Sequence, residues 1–318
     1  MKDKMNIYIL FLMALLLLYL AGCGPHVQID KSYYHRSVQS DDGVAVQVPD
    51  YPKRILALSS AYDTILLGLV DPSRLAGVNS LSTYEQYSLE AHKAKHVKTV
   101  MRSYSLEKII ALHPDVVIAP EYITRDVIEG LRYMGIPTVV VNTGKTVEGV
   151  INNVETVATL VNESERGDQH VASIRQDIER MRQLGSTIDS KDRKRVLFVS
   201  SMDGYTGRDS LFDDMCRYMY IDNAPTAMGY PSHTSFTDER VIAMNPDYIF
   251  IPAYKGLDKN LSDRFLKTPA FHTIPAMVNH HVDPLPAAYL YTANQHIGNA
   301  MLSIMYVVYP QLERKSHE

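Results

Sequence analysis

Two segments of this chain read alike, and the repeat limits the folds that the sequence can adopt. Residues 106–122 read LEKIIALHPDVVIAPEY, and residues 238–254 read DERVIAMNPDYIFIPAY. Upstream of each lies a second matching pair, KRILALSS at 53–60 and KRVLFVSS at 194–201. Because both pairs occur in the same order and at nearly the same offset, the sequence predicts two lobes of similar construction. A groove between two such lobes is a common place for a small ligand. The identical positions of the first pair are Glu107 and Glu239, Ile110 and Ile242, Ala111 and Ala243, Pro114 and Pro246, Asp115 and Asp247, Pro120 and Pro252, and Tyr122 and Tyr254.

Each predicted lobe alternates short apolar runs with segments of helical spacing. Lys53 and Arg54 precede ILALSS, an apolar run of strand length that ends in small polar residues. The next segment, AYDTILLGLV, repeats its apolar residues at helical spacing, and further strand-like runs follow in DVVIAP and IPTVVVN. Alternating strands and helices predict an α/β fold, in which each lobe is Rossmann-like with a mainly parallel sheet.

Residues 146–186 separate the two lobes and repeat their apolar residues in steps of three and four. Val147, Val150 and Ile151 begin this pattern, which resumes at Ile174 after a polar break. We favour one long interlobe helix with an adjoining helix, because the segment falls where the first lobe ends and the second begins. The alternative is two successive helices that belong to a single lobe.

The N-terminus has the pattern of a secretory signal. Lys2 and Lys4 precede an apolar run at 7–20, which ends in Leu-Ala-Gly before Cys23. The alternative is a transmembrane anchor, but the apolar core is shorter than the ~20 residues that a span needs. A Cys directly after Leu-Ala-Gly resembles the lipobox of bacterial lipoproteins, in which this Cys carries lipid and becomes the first residue of the mature protein. We therefore expect a lipid-anchored, extracytoplasmic protein. Since Cys216 is the second of two cysteines, no disulfide is expected.

Length and composition allow two globular domains behind this signal, since the chain has 318 residues of which 46% are hydrophobic. The predicted organisation is a signal peptide at 1–22, the lipidated Cys and a tether at 23–50, the first α/β lobe at 51–145, the interlobe helix at 146–186 and the second α/β lobe at 187–318.

Charge and motifs exclude several classes of function. The net charge is −4, so nothing indicates a nucleic acid as a partner. The sequence has no GxSxG, HExxH, Walker or GxGxxG motif. We therefore predict a binding protein without catalytic residues or a cofactor, and an extracytoplasmic enzyme remains the alternative.

The ordered set of motifs is similar to bacterial ABC-importer substrate-binding proteins for iron complexes, haem and cobalamin. The set runs from PKRILALS at 52–59 through AGVNSLSTY at 76–84 and LEKIIALHPDVVIA to DERVIAMNPDYIFI, and the resemblance covers about residues 50–307. It implies the class III periplasmic-binding-protein fold, with two lobes joined by one long helix and little hinge motion. It further implies an importer of permease and ATPase as the partner, and a ligand held between the lobes.

The resemblance also implies a docking role for one glutamate on each lobe. In such proteins a surface glutamate of each lobe meets arginines of the membrane permease, and the matching positions here are Glu107 and Glu239. The alternative is that both are first-turn acids, which the positive end of the helix dipole favours by ~0.3–1 kcal/mol. Their equivalent places in the two repeats favour docking.

Candidate ligand contacts follow the strands, because parallel sheets bind ligands at the carboxyl ends of their strands. The chain has 21 Tyr and no Trp, and a tyrosine offers a flat apolar face together with a hydroxyl. The alternative for any one tyrosine is a structural role. The candidates in the first lobe are Ser60, Tyr62, Ser82, Tyr84, Met101, Arg102 and Tyr104, and those in the second lobe are Tyr205, Arg208, His233, Tyr254, Tyr289 and Tyr291.

Arg102 bears most on the class of ligand. The segment MRSYSLE resembles a stretch of haem-binding members, but those members usually place a tyrosine where this chain has Val100. Cobalamin binders rely on tryptophan walls, and here Met101, His233 and Tyr289 stand at those places. A guanidinium suits the anionic oxygens of a siderophore. We therefore expect an iron chelate of the siderophore type, with cobalamin or haem as the alternative.

A bare zinc or manganese ion is a further alternative, and it needs about three converging His or carboxylate ligands. His92 and His96 lie four residues apart, but their segment is charged and typical of a solvated face. His280 and His281 are adjacent and cannot turn both rings toward one point. The sequence thus predicts no metal site.

Overall fold

Residues 34–49 form a β-hairpin in the computed structural model, which describes residues 34–200, 206–234, 236–254 and 257–315. Its strands are β1 (Tyr34–Gln39) and β2 (Ala45–Pro49). The polar composition of residues 23–50 predicts a tether, and this prediction is wrong for the hairpin. Gly43 takes a φ of 86° in the turn, which glycine adopts without steric cost. Val46 and Val48 alternate inward into the core of the first lobe, so the hairpin belongs to the folded body.

The first lobe is built around five short strands whose apolar residues are almost all buried. In sheet order they run β5-β4-β3-β6-β7, and every pair is parallel. Such burial on both faces matches the continuous apolar runs in the sequence. The strands are β3 (Ile55–Ala57), β4 (Leu75–Asn79), β5 (Val100–Met101), β6 (Val116–Ala119) and β7 (Thr138–Val140), and the helices are α1 (Ser60–Leu69), α2 (Ala91–Ala94), α3 (Leu106–Ala111) and α4 (Arg125–Tyr133).

Two helices join the lobes, α5 (Val147–Leu160) and α6 (Ser164–Gly185). The first half of α5 belongs to the second lobe, since Val150 packs in the core of that lobe. Its second half belongs to the first lobe, where Val157 packs. One amphipathic helix therefore contributes to both cores, and Val171 of α6 packs against both as well. This sharing ties the two lobes together through apolar burial.

The second lobe repeats the design around four strands in the order β11-β10-β8-β9. All of its strand pairs are parallel, so the predicted α/β class with parallel sheets is confirmed. The strands are β8 (Arg195–Phe198), β9 (Asp222–Asn223), β10 (Tyr248–Ala253) and β11 (Val282–Pro286), and the helices are α7 (Leu211–Tyr218), α8 (Ala224–Ala227), α9 (Asp238–Met244), α10 (Leu257–Lys267), α11 (Pro275–Val278), α12 (Ala287–Leu290), α13 (Ile297–Val308) and α14 (Pro310–Lys315).

The repeated motif folds alike in both lobes. In each copy a short helix, α3 or α9, is followed by a residue with positive φ and then by a proline. These residues are His113 with a φ of 46° and Asn245 with a φ of 47°. A left-handed residue ends a helix, and the proline after it cannot continue one. The motif therefore encodes a helix stop that turns the chain into β6 or β10.

Within the described part of the chain, no helix combines the length and the apolar character that crossing a membrane requires.

Candidate functional site

Four tyrosines from the two lobes meet where the parallel strands end, and we call them the tyrosine cluster. Tyr84 and Tyr87 lie in the loop after β4, whereas Tyr254 follows β10 and Tyr291 follows α12. The ring centroids of Tyr84 and Tyr254 are 5.8 Å apart, and those of Tyr87 and Tyr254 are 5.4 Å apart. Tyr87 also stacks with Tyr291 at 6.2 Å. Such distances lie within the range of favourable aromatic contacts, so the cluster joins the lobes.

Asp63 holds the loop of the first lobe that carries Tyr84. Its Oδ2 accepts hydrogen bonds from the amide of Asn79, at 2.6 Å, and from the hydroxyl of Ser82, at 2.8 Å. Asn79 in turn accepts from the amide of Leu81 at 2.9 Å. These bonds close a single turn of 3-10 helix at Ser80–Thr83, immediately before Tyr84. The loop is thus held by a buried carboxyl group.

Asp63 is fully buried, and its environment changes its acidity. Burial raises its pKa from 3.8 to about 7, although the two hydrogen bonds from Asn79 and Ser82 act in the opposite direction. Desolvation penalises the charged form of a carboxyl group. Asp63 therefore changes protonation close to neutral pH, directly beneath the loop that carries the tyrosines.

The second-lobe side of the cluster rests on the end of β8. The Tyr291 hydroxyl lies 2.9 Å from Ser200 Oγ. The Tyr291 ring also packs on Phe198, with centroids 5.3 Å apart, and Phe198 belongs to the second core. Tyr291 is therefore oriented by one polar and one apolar contact.

A cavity of about 510 Å³ opens beside the cluster, and both lobes line it. The first lobe contributes Tyr84 and Lys95, and the second contributes Pro286 and Tyr289. A cavity of this size falls in the range of small-molecule sites. The remaining lining residues are Thr83, Glu85, Gln86 and Leu89.

Besides Ser82, which is buried and donates to Asp63, three further candidates from the sequence lie in or against the core of the first lobe. Tyr62 is 1% exposed and donates its hydroxyl to the Val141 carbonyl at 2.7 Å. Met101 is 6% exposed and packs under the sheet. Tyr104 is half-buried, and its hydroxyl accepts from Asn79 at 2.8 Å. The prediction that Tyr62 and Met101 present their side chains to a ligand is thus wrong, because Tyr62 lies on the buried face of α1 and Met101, the last residue of β5, packs into the core. Tyr104 supports the Asn79 turn.

Other candidates are accessible. Arg102 directly follows β5 and is exposed, as are Arg208 and His233. The amide of Arg208 donates to the Tyr230 carbonyl at 2.9 Å, which fixes the backbone of this loop. Ser60 is the first residue of α1. Two candidates, Tyr205 and the lipidation candidate Cys23, lie outside the described residues.

The sequence predicts Tyr84, Tyr254 and Tyr291 as ligand contacts, and the structure brings these three into the cluster. Tyr87 was missed. Its signal is local, because it lies three positions after Tyr84 in the segment STYEQY.

The two candidate docking residues occupy equivalent positions. Glu107 is the second residue of α3 and Glu239 the second residue of α9, and both are exposed. The pKa of each is lowered by its own backbone amide and then by a hydroxyl, from Ser105 or Thr237. Those two hydroxyls are also the helix N-caps. Each lobe thus presents a carboxylate stabilised by its helix N-terminus.

Histidines in the described ranges are dispersed or used structurally. His281 stacks on Tyr248 with ring centroids 4.1 Å apart, and its Nδ1 lies 3.2 Å from the Asp247 carbonyl. His92 and His96 are exposed. Among the residues that the structure describes, no three His, Cys, Asp or Glu side chains are grouped to hold a metal ion.

Comparison with known proteins gives a consistent result for most of the chain. A family model described as periplasmic binding protein matches residues 55–289. An uncharacterized ABC transporter substrate-binding lipoprotein of Bacillus subtilis, YvrC, is 30% identical over 265 residues, which cover 78% of this chain and 81% of the relative. A vitamin B12-binding protein of Vibrio parahaemolyticus is 23% identical over 265 residues, and the match covers 79% of this chain and 88% of the relative.

Among solved structures, MolA of Haemophilus influenzae, a periplasmic binding protein of an ABC transporter crystallised with molybdate, superposes with a TM-score of 0.75. Its sequence identity is 17%, and the match covers 88% of this chain and 93% of that chain. At this identity the likeness shows the fold alone.

Proposed function

Because the chain belongs to the periplasmic binding protein family and is a substrate-binding protein of an ABC transporter, we propose that it captures a metal chelate in the groove between its two lobes. Substrate-binding proteins of this kind work with a complex of permease and ATPase. The observation that carries the proposal is the tyrosine cluster, to which each lobe contributes two rings at the carboxyl ends of its strands.

A corrinoid is the first candidate for the ligand. The cluster and the adjoining cavity offer broad aromatic faces with hydroxyl groups at their edges, and such surfaces suit a large, flat molecule that has polar substituents. Tyr289 stands in the cavity wall and supplies an aromatic ring where the resemblance implies a tryptophan, although Met101, at another of those places, is not aromatic. The relative named for vitamin B12 supports the same choice.

An anionic ferric siderophore is the second candidate, favoured by two exposed arginines. Arg102 directly follows β5, at the carboxyl edge of its sheet, and Arg208 lies three residues before the start of α7. Guanidinium groups bind carboxylate and other anionic oxygens through charge-assisted hydrogen bonds. Haem would use the same aromatic surface, and it serves as a third ligand to test.

In this proposal the chain works outside the cytoplasmic membrane and is anchored through lipid on Cys23. On docking, Glu107 and Glu239 meet basic groups of the permease, one from each lobe. Both side chains are exposed, and the N-cap environment keeps their pKa low. Such charges steer association and fix the register of a complex. Replacement of Cys23 by Ala should release the protein from membranes and abolish labelling by radioactive palmitate.

The test of the proposal is direct titration. Full-length protein, purified in detergent, is titrated with cyanocobalamin, a ferric siderophore, haemin and zinc by calorimetry and visible absorbance. Saturable binding of cyanocobalamin supports the corrinoid assignment. Binding of the siderophore alone, lost in Arg102→Ala, supports the second candidate. Binding of none of the chelates, with a rise in melting temperature on adding zinc, overturns the proposal.

A further inference from the structure

A buried polar contact crosses between the lobes behind the tyrosine cluster. Glu90 immediately precedes α2 in the first lobe, and its side chain is 8% exposed. Its Oε1 lies 3.0 Å from Nε2 of His296, which precedes α13 of the second lobe. Lys93 Nζ lies 3.0 Å from Oε2 of the same carboxylate. Despite burial, which raises the pKa, hydrogen bonds from His296 and Lys93 hold the pKa of Glu90 at about 2.

Gln295 adds a second link beside this contact. Its Nε2 donates to the Thr64 carbonyl of α1 at 2.8 Å. A Cβ atom on Gly68, one turn further along α1, would lie 2.5 Å from that nitrogen. The glycine therefore allows the second-lobe side chain to approach the first-lobe helix. We call Glu90, Gln295 and His296 the cross-lobe clasp.

The clasp lies at the ends of the two segments that carry the tyrosines. Glu90 comes three residues after Tyr87, and Gln295 comes four residues after Tyr291. On the N-terminal side of the same two tyrosines, the amide of Ala288 donates to the Gln86 carbonyl at 2.8 Å. Two separate polar contacts thus flank Tyr87 and Tyr291 and hold their segments against each other.

Given the proposed function, on which this inference depends, we infer that Glu90 and His296 are positioning residues that fix the two tyrosine-bearing loops before a ligand arrives. In this role neither side chain contacts the ligand. The pair lowers the number of arrangements that the rings of the tyrosine cluster can take, and preorganisation of this kind increases ligand affinity without adding a contact.

The design of the variants separates this role from simple stabilisation. Removing one partner of a buried charged contact destabilises a fold when the other partner is left without a contact. Both Gln variants keep a polar partner at the site, since Lys93 still lies beside the carboxylate in His296→Gln and a glutamine amide replaces the carboxylate beside His296 in Glu90→Gln. The clasp variants should therefore change the order of the loops and ligand affinity more than the melting temperature.

The experiment compares full-length Glu90→Gln and His296→Gln proteins with wild type, by hydrogen exchange of the segments 84–87 and 287–291. A matched control is Glu148→Gln, which breaks an ion pair with Arg175 between α5 and α6 and leaves the clasp intact. We expect the rate of amide hydrogen exchange in both segments to rise about tenfold in the clasp variants, because local opening of these segments would then cost less free energy. The control should match wild type there.

Titration with cyanocobalamin and a ferric siderophore then gives the second readout. The clasp variants should bind the accepted chelate about tenfold more weakly, with a melting temperature close to that of wild type. Unchanged exchange in both segments overturns the inference. If Glu90→Gln leaves Lys93 unpaired and unfolds, His296→Gln decides, since it keeps the carboxylate and its lysine. If wild type binds none of cyanocobalamin, the ferric siderophore and haemin, the proposed function fails, while the exchange data still decide the clasp.

Discussion

Asp115 and Asp247 make the same contact in the two lobes. Asp115 accepts hydrogen bonds from the amides of Lys53, at 2.6 Å, and Arg54, at 3.0 Å, at the start of β3. Asp247 accepts from the amide of Arg195 at 2.8 Å, at the start of β8. The carboxylate of one repeated motif therefore binds the backbone of the other, which explains why the two motifs recur together.

This equivalence predicts independent losses of stability in the two lobes. Asp115→Ala leaves the amides of Lys53 and Arg54, and Asp247→Ala leaves the amide of Arg195, without a charged acceptor, and each substitution should cost about 1–3 kcal/mol. Because the two sites lie in different lobes, the double variant should show the sum of the single effects within about 0.5 kcal/mol. Urea unfolding gives the free energy of unfolding of wild type, of the two single variants and of the double variant. A large coupling between the two substitutions would contradict this independence.

The repeat shows what the sequence could predict. A helix, a stop and a strand follow from neighbouring residues, and the alternation of such units gave the α/β class and the parallel sheets. The hairpin of residues 34–49 carried a usable signal as well, since Asp42-Gly43 precedes the alternating segment VAVQV. Its polar flanks concealed that signal.

The candidate site was only partly predictable, because its contacts join distant parts of the chain. Tyr84 and Tyr254 could be nominated from their places after strands, but Tyr62 occupies a similar place and points into the core. Glu90 and His296 are 206 positions apart, and neither belongs to a motif. No local pattern reports which side chains two lobes bring together.

Charge reversal tests the docking role of Glu107 and Glu239. The double variant Glu107→Lys, Glu239→Lys should abolish uptake of the ligand by cells that depend on this protein, because like charges would then face the permease. Ligand affinity should stay within about twofold of wild type, since both residues are proposed to lie outside the groove. Radiolabelled uptake and calorimetry measure the two effects.

The matched control for docking is Glu165→Lys. Glu165 is also the exposed second residue of a helix, α6, and its reversal should leave uptake intact. A loss of ligand affinity in the double variant would place the glutamates in the pocket and refute the docking role.

Asp63 predicts an unusual dependence of stability on pH. Its pKa in the folded state is about 7, above the ordinary value of 3.8, so the folded protein retains a proton that the unfolded chain releases between these values. The contribution of Asp63 to the free energy of unfolding is therefore most favourable below about pH 4, falls as pH rises, and levels off above about pH 7. The total change in this contribution between the two limits is at most roughly 4 kcal/mol.

Asp63→Asn should remove this dependence, because an amide has no proton to lose in this range. The difference in unfolding free energy between variant and wild type should shift in favour of the variant as pH rises from about 4 to about 7. Urea unfolding across that range measures it, with Asp126→Asn, an exposed residue of α4, as control. A difference that is constant with pH would show that Asp63 is charged throughout.

Tyr254 should be a sensitive ring of the cluster, since it contacts both first-lobe rings, Tyr84 and Tyr87. Tyr254→Ala should weaken chelate binding about tenfold, because it removes an aromatic face and loosens two others. Tyr254→Phe keeps the ring and should retain most of the affinity. Tyr133→Ala, at a side chain that is 91% exposed, is the control. Equal affinity of Tyr254→Ala and wild type would exclude the cluster from the site.

The close packing of α5 against α6 can be tested by exchanging two small residues. Gly167 of α6 faces Ala158 of α5, and a Cβ atom on the glycine would overlap the alanine methyl. Gly167→Ala gains about 1 kcal/mol of helix propensity but forces the helices apart, and overpacking costs about 1–3 kcal/mol. Because α5 is shared by both cores, the net result should be a loss of stability.

The double variant Ala158→Gly, Gly167→Ala moves the methyl group to the other helix and restores the space between them. It should recover much of the stability that Gly167→Ala loses, although Ala158→Gly alone costs about 1 kcal/mol in propensity. A double-mutant cycle measured by thermal unfolding gives the coupling, which should be favourable by at least about 0.5 kcal/mol. Strictly additive effects would mean that the helices relax freely, and the lobes would then be joined less rigidly than the shared cores of α5 indicate.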